Sequence, residues 1–276
     1  TDYRVALISL TPADSTAVAA IAAQLSAAGA TVSAQIELTP SWTDPAKATF
    51  RQQFAGSIAA YLDPVPPFGS SDSVDLAEGL IQALTKTDPN DPNVLRPGYD
   101  LIIELLVNGE LITVISPPTQ PVDAVVLIDQ TGCSIAGGVT FGIDSAQTTP
   151  DPARSDADGS GAAERPLDGA RSDVAGSGAT AEASGAAAAA SSTTGGVTSA
   201  EEVAATGAYL AFATVSGSQI PTVLVSATTS PAILAVRADS VGAASVTTVS
   251  NIGSLAGLVS VPLALAVDIS GGVGHY

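Results

Sequence analysis

Tyr3-Arg4-Val5-Ala6-Leu7-Ile8-Ser9-Leu10 is an apolar run of the length of a β-strand, and together with the next thirty residues it decides the fold. Thr11-Pro12-Ala13-Asp14 is a helix start, because Pro suits a first turn and an acidic side chain suits the positive end of a helix. An Ala-rich helix comes next and closes at Gly29, and its apolar face is formed by Val18, Ile21, Ala22 and Leu25. Residues 31–38 alternate between apolar and polar side chains, which predicts a second strand and therefore a βαβ unit.

The rest of the chain continues this alternation of helices and strands. Apolar patterning predicts helices over residues 45–62, 75–85, 201–215, 229–238 and 254–265, and strands over residues 111–115, 124–128, 221–226 and 247–249. Residues 101–106 fit either a helix or a strand, and residues 88–92 are predicted to be a loop because they contain two prolines. Continuous apolar runs such as 124–128 are typical of parallel sheets that are covered on both faces.

The composition changes over residues 145–196, where Ser, Gly, Ala, Asp and Pro dominate and no aromatic side chain occurs. Such a segment buries too little apolar surface to offset its ordering entropy, so we predict a disordered low-complexity insertion, either a docking arm or a tolerated loop.

We predict an α/β fold with a single doubly wound, mostly parallel sheet and helices on both faces. The first part of this α/β domain is formed by residues 1–144 and the second part by residues 197–276, with the insertion between them.

The 276 residues carry 9 basic and 27 acidic side chains, a formal net charge of -18. Such a chain repels phosphate backbones, so we predict that nucleic acid is not a partner. Met is absent, and Cys133 and His275 are the single Cys and the single His. The chain therefore has too few Cys, His and Met side chains to form a disulfide, a zinc site or a soft-metal site. We predict neither a metal site nor a cofactor.

Two long stretches, 203–236 and 252–267, contain no charged residue. Prolines and small polar residues interrupt both of them, and neither supplies the roughly 20 consecutive apolar residues of a membrane span. We predict that both stretches form buried core.

Signatures of nucleotide binding and of nucleophilic catalysis are missing. The turn after the first strand has no Gly, and Asp14 would repel a phosphate there. His275 lies next to the terminus, where we expect a frayed chain that is a poor setting for a general base. We predict that the protein is not an enzyme.

Two side chains near the predicted strand 124–128 bear groups capable of chemistry. Asp129 follows that strand at its carboxyl end, where α/β proteins place their sites, and is a weak candidate for a functional carboxylate, with a loop cap as the alternative. Cys133 has no Lys or His close by in sequence to lower its pKa, so an inert thiol is expected.

Several strings resemble the extracytoplasmic domain of the MctB family, which includes a mycobacterial copper-transport protein and the corynebacterial SteB proteins. These strings are YRVALI at 3–8, AGATVS at 28–33, IELTPSW at 36–42, FRQQ at 50–53, DAVVLI at 123–128 and SVTTV at 245–249. The resemblance implies a membrane helix and a coiled coil ahead of this domain, a place on the extracytoplasmic face of the plasma membrane, and a homodimer formed through that coiled coil.

The resemblance implies two different functions. In the first, the domain is a non-enzymatic scaffold that acts with a SteA-like membrane protein on peptidoglycan hydrolases during daughter-cell separation. In the second, it serves copper transport or copper homeostasis, for which the chain offers few of the usual ligands. We expect the scaffold function, in which an apolar groove, a sheet edge or a helix pair near Trp42 and Phe50 binds a protein or a second copy of the chain.

Overall fold

The computed structural model describes residues 3–64, 71–130 and 199–276. Within these ranges the strands are β1 (Tyr3–Ser9), β2 (Ala30–Leu38), β3 (Thr87–Asp88), β4 (Asp91–Leu95), β5 (Ile112–Ser116), β6 (Ala124–Asp129), β7 (Thr222–Ser226) and β8 (Thr247–Val249). The helices are α1 (Ser15–Ala27), α2 (Ala48–Ala59), α3 (Asp72–Thr85), α4 (Tyr99–Asn108), α5 (Ala200–Gln219), α6 (Pro231–Ala238), α7 (Ser240–Ser245) and α8 (Leu255–Ile269). Two short 3-10 turns, Pro40–Trp42 and Pro45–Lys47, connect β2 to α2.

Six strands form one sheet in the order β5-β2-β1-β6-β7-β8. All neighbouring pairs are parallel except β5, which runs antiparallel to β2 at one edge. The registers place Val5 opposite both Val32 and Ala124, and Val125 opposite Thr222. The predicted mostly parallel sheet is confirmed, and the strands before residue 131 pair directly with those after residue 198.

The central strands bury both faces, because alternate side chains enter two separate apolar clusters. Val5, Leu7 and Val126 pack with the inward sides of α1 and α8. Ala6, Ile8 and Leu127 belong to the opposite cluster, which α2 to α6 cover. The predicted helices on both faces are therefore confirmed, and strands buried on both sides account for the unbroken apolar runs.

Side-chain caps define where most of the helices begin. The backbone N–H groups of the first turns of α1, α3, α5, α6, α7 and α8 donate to the side chains of Asp14, Ser71, Ser199, Ser230, Asp239 and Ser254. The uncharged stretch 203–236 is divided among α5, β7 and α6, and 252–267 lies mostly in α8. Among the described residues, no helix has the length and apolarity needed to cross a membrane.

The structure corrects several local predictions. Residues 88–92 are not only a loop, since β3 and β4 form a small antiparallel hairpin there and Pro92 lies in its second strand. Residues 101–106, whose pattern fits either a helix or a strand, lie inside α4. The predicted insertion over 145–196 lies outside the described residues.

The carboxyl-terminal residues are attached to the sheet, contrary to the expectation of a frayed terminus. The backbone N–H of Thr248 donates to the carbonyl of Gly274, and the N–H of Tyr276 donates to the carbonyl of Thr248, with N···O distances of 2.9 and 2.8 Å. His275 forms a parallel bridge with Thr248. Residues 274–276 therefore extend the sheet beside β8.

Candidate functional site

The strand order places a topological switch point at the carboxyl ends of β1 and β6. From β1 the chain passes through α1, on one face of the sheet, to β2 on one side of the β1–β6 pair. On the other side of this pair lies β7, and α5, which precedes β7, packs on the opposite face of the sheet. In open α/β sheets, ligands bind in the crevice that such a reversal creates. Asp129, the weak candidate from sequence, is the last residue of β6 and lies at this crevice.

The mouth of the crevice is occupied by side chains of the chain itself. The backbone N–H of Asp14 donates to Oε1 of Gln130 at 2.7 Å, and Oδ1 of Asp14 accepts from the N–H of Thr16 at 3.0 Å. The N–H of Gln130 donates to Oγ1 of Thr11 at 3.2 Å. An acidic side chain thus lies at the N-terminus of α1, the position at which phosphate-binding α/β proteins hold their ligand.

Asp129 is fully buried and electrostatically coupled to Tyr209 of α5. Burial raises the pKa of the Tyr209 phenol, a hydrogen bond with Thr43 opposes that rise, and the charge of Asp129 adds to it. Three segments distant in sequence therefore meet at the carboxyl end of the sheet: the turn after β2, the end of β6 and the middle of α5. In this arrangement water has no access to the Asp129 side chain, whose residue is 0% exposed.

Two further polar atoms are buried near the carboxyl ends of β2 and β7, which are separated in the sheet by β1 and β6. Nε1 of Trp42 and Oγ of Ser226 have no hydrogen-bond partner, although such atoms are normally paired when buried. Ser226 ends β7 and lies opposite Asp129 in the β6–β7 register. Trp42 packs edge-on against Phe212 of α5, with ring centroids 5.7 Å apart.

Trp42 therefore lies in the core rather than on a surface. Its side chain is buried, so the prediction that it helps to form an exposed groove is corrected in this respect. The large indole packs against α5 because the turn after β2 folds back over the sheet, a long-range contact that local sequence does not reveal.

Phe50, the other predicted interaction residue, lines a surface groove. It is 41% exposed and stacks on Phe54 with ring centroids 5.5 Å apart. The groove, of about 480 Å³, lies between α2 and α4, and its walls include Leu105, with Lys47 and Glu110 among the lining residues. Phe50 is therefore accessible from solvent, and protein binding through it stays a prediction.

The buried Arg51 fixes the turn that carries Trp42. Its Nη1 donates to the carbonyl oxygens of Ser41 and Asp44 at 3.1 and 2.5 Å, and its Nε donates to Asp72 at 3.3 Å. One guanidinium thus joins the 3-10 turns to the start of α3. The sequence places Arg51 off the apolar face of a helix, and no local pattern indicates its burial.

Possible metal ligands are dispersed in the described parts of the chain. No group of three His, Cys, Asp or Glu side chains is close enough together there to hold an ion. Nδ1 of His275 lies 3.0 Å from Oγ1 of Thr248, to which Nε of Arg237 also donates at 2.9 Å. Cys133 lies outside the described residues.

Sequence reasoning missed Tyr209 and Ser226 as members of the Asp129 cluster. The sequence signal that could have indicated Tyr209 is that it is the one Tyr of an Ala-rich helix. Ser226 ends an apolar strand in the same way as Asp129 does, and the rule that places α/β sites at carboxyl strand ends would have selected both.

The parallel strands, numbered in chain order, lie as 2-1-3-4-5, which defines an α/β protein of the flavodoxin-like strand order with an added antiparallel edge strand. The chain belongs to the MctB family. The sequence model of that family, described as copper transport outer membrane protein, matches residues 1–206 and 174–276. The predicted family resemblance is thereby confirmed. No curated protein matches the chain.

Proposed function

We propose that this chain is a domain of a cell-envelope protein that serves copper transport, and that it acts by binding protein rather than by holding the metal. Membership in a family described by copper transport and the outer membrane is the observation that carries the proposal. This favours the second of the two functions implied by the sequence over the cell-separation scaffold.

The donor set of the chain does not fit a copper site. Copper in proteins is bound by thiolate, thioether and imidazole groups, and Cu(I) prefers the first two. The whole chain contains no Met, one Cys and one His. One thiol and one imidazole supply at most two of these ligands, so in this proposal copper as cargo is bound by another component.

A protein-binding role is supported by the groove at Phe50. Its floor is aromatic, its rim carries the exposed ion pair between Lys47 and Glu110 at 3.6 Å, and it is open to solvent. Apolar centres with polar rims are typical of protein interfaces. The same groove would suit the non-enzymatic role expected from sequence.

The location and the partner are further parts of the proposal. We place the domain on the extracytoplasmic side of the envelope, with membrane attachment by a helix ahead of it, on the basis of the family resemblance. A SteA-like partner and a role in peptidoglycan hydrolysis rest on that resemblance alone and stay predictions.

Deletion of the gene in its host tests the proposal when the same strain is scored for growth under graded copper and for chained cells. We expect copper sensitivity, reversed by the wild-type chain and equally by the double variant Cys133→Ser, His275→Gln. Normal copper tolerance with chained cells would reject copper transport in favour of cell separation. Failure of the double variant alone to restore tolerance would show that the chain itself holds the metal.

A further inference from the structure

Helix α8 exposes a row of large apolar side chains along its outer side. Leu255, Val259, Leu263 and Val267 recur every four residues, and all four are exposed. The opposite side of the helix packs into the core through Leu258, Val261 and Leu265. A helix that is apolar all round is normally covered on every side, so the outer row of α8 is a candidate contact surface.

The neighbouring helix extends this uncharged surface. α1 packs beside α8 on the same face of the sheet, and its exposed positions are small or neutral: Ser15, Thr16, Ala19, Ala23, Ser26 and Ala27. No side chain from 15 to 27 or from 255 to 267 is charged. The single acid of α8, Asp268, points inward toward β7. We call the outer sides of α1 and α8 the neutral face.

A shallow groove runs into the neutral face between the ends of the two helices. It has a volume of about 330 Å³ and is lined by Leu25, Gly29, Pro262, Leu265, Ala266 and Ile269, among others. The row on α8 and the groove beside it give the face a ridge and a depression. An isologous interface needs such a self-complementary pair, because each copy must supply both parts.

We infer that the neutral face binds a second copy of this chain. The formal charge of -18 makes two copies repel one another over most of their surface, whereas two neutral faces meet without opposing like charges. An anionic membrane fits less well, since interfacial helices carry Lys or Arg on their flanks and neither α1 nor α8 contains one.

The dimensions are those of a modest homodimer. Helices of this length span about 20 Å and pack about 9 Å apart, so the face measures roughly 400 Å² in projection. The largest exposed apolar patch of a typical monomer is about 300–600 Å² and is often functional, and interfaces of this size are weak or transient. Rows spaced four residues apart favour packing of α8 across its symmetry mate at about 50°. We expect dissociation in the micromolar range.

Sedimentation equilibrium of the purified 276-residue chain tests the inference. The wild type should approach twice its 27.1 kDa mass as the concentration rises. Leu263→Glu should raise the dissociation constant at least about a hundredfold, because it brings two like charges into an apolar contact. Leu234→Glu is the matched control, since Leu234 lies on α6 and is 56% exposed against 63% for Leu263.

Three results would overturn the inference: a wild type that stays monomeric at about 500 µM, dimerisation unaffected by Leu263→Glu, or equal loss with Leu234→Glu. Circular dichroism of both variants distinguishes lost association from lost folding. A monomeric wild type that sediments with lipid vesicles, and whose Leu263→Glu variant does not, would assign the neutral face to a membrane instead.

Discussion

Asp268 of α8 accepts a hydrogen bond from the backbone N–H of Thr222, the first residue of β7, with an Oδ2···N distance of 2.5 Å. The side chain of Thr247, at the start of β8, also hydrogen-bonds to this carboxyl group. One acidic group thereby joins α8 to the amino ends of two neighbouring strands. Burial raises its pKa to about 6 despite the two hydrogen bonds.

The raised pKa of Asp268 predicts a loss of stability as the pH rises. In the folded chain Asp268 keeps its proton up to a pH of about 6, whereas in the unfolded chain it releases the proton near pH 3.8. The stabilisation that the bound proton gives the folded chain is therefore complete below pH 3.8 and is lost as the pH rises through 6. Asp268→Asn removes the titration and keeps an oxygen acceptor for Thr222. We expect the wild type to lose about 1–3 kcal/mol relative to Asp268→Asn between pH 4 and pH 7.

Urea unfolding of both proteins at several pH values measures this difference. Subtracting the two curves cancels the repulsion among the other carboxylates, which also grows with pH. Stability curves that run parallel from pH 4 to pH 7 would contradict a raised pKa at Asp268.

The ion pair between Arg4 and Asp123 predicts the opposite dependence on pH. Arg4 donates through its Nε and Nη2, at 3.0 and 2.8 Å, and its backbone N–H donates to the same carboxylate at 2.9 Å. These contacts, the side-chain hydrogen bonds most strongly, hold the pKa of Asp123 below its ordinary value of 3.8. The stability that the ion pair adds to the fold is therefore present above that pH and is lost as the pH falls. Because both side chains are partly exposed, we expect Asp123→Asn to cost about 1 kcal/mol at pH 7.

The same urea experiment tests this pair, and the deficit of Asp123→Asn should shrink below pH 4. Asp63→Asn provides the comparison, since it breaks the more exposed contact with Arg96 and should leave the unfolding midpoint nearly unchanged. An equal effect of both substitutions would show that the contact of Asp123 with the backbone N–H of Arg4 adds nothing.

Two glycines of α5 predict opposite effects of the same substitution. A Cβ at Gly217 would collide with the carbonyl of Ser245 and lie 2.7 Å from Val246, whereas a Cβ at Gly207 meets nothing within 4 Å. We expect Gly217→Ala to destabilise the fold by about 1–3 kcal/mol, because α5 and α7 approach closely there. Gly207→Ala should stabilise it by up to about 1 kcal/mol through helix propensity. Thermal unfolding of the two variants checks both signs, and a stabilised Gly217→Ala would refute the close approach.

The groove at Phe50 predicts a variant that separates function from stability. Phe50→Ser removes an aromatic ring from the α2–α4 groove, and its half-exposed position limits the expected cost in folding free energy to about 1 kcal/mol. We expect this chain to fold but to restore copper tolerance poorly in the deletion strain. Leu234→Ser, at an exposed site outside the groove, should restore it fully. Full restoration by Phe50→Ser would exclude the groove as the binding site.

Sequence patterning could predict the βαβ unit at the start and the mostly parallel sheet, because the strands β1, β6 and β7 are buried on both faces and are therefore mainly apolar. It also placed Asp129 correctly at a carboxyl strand end. The hairpin β3–β4 was missed because Pro92 suggested a loop, although proline is tolerated in an exposed two-stranded ribbon.

Long-range contacts account for what the sequence could not predict. The burial of Trp42 depends on Phe212, and the environment of Asp129 depends on Tyr209, both on a helix far along the chain. The apolar composition of α8 predicted core, but composition alone does not show that Leu255 and Leu263 face outward.

The unequal edges of the sheet limit how copies can join through backbone pairing. Residues 274–276 pair with β8, whereas β5 is an outer strand whose Ile115 is exposed. Growth into a fibril requires two usable edges per molecule, because each copy must be both template and addition. At β5 the sheet offers such an edge directly, whereas at the other end residues 274–276 already pair with β8.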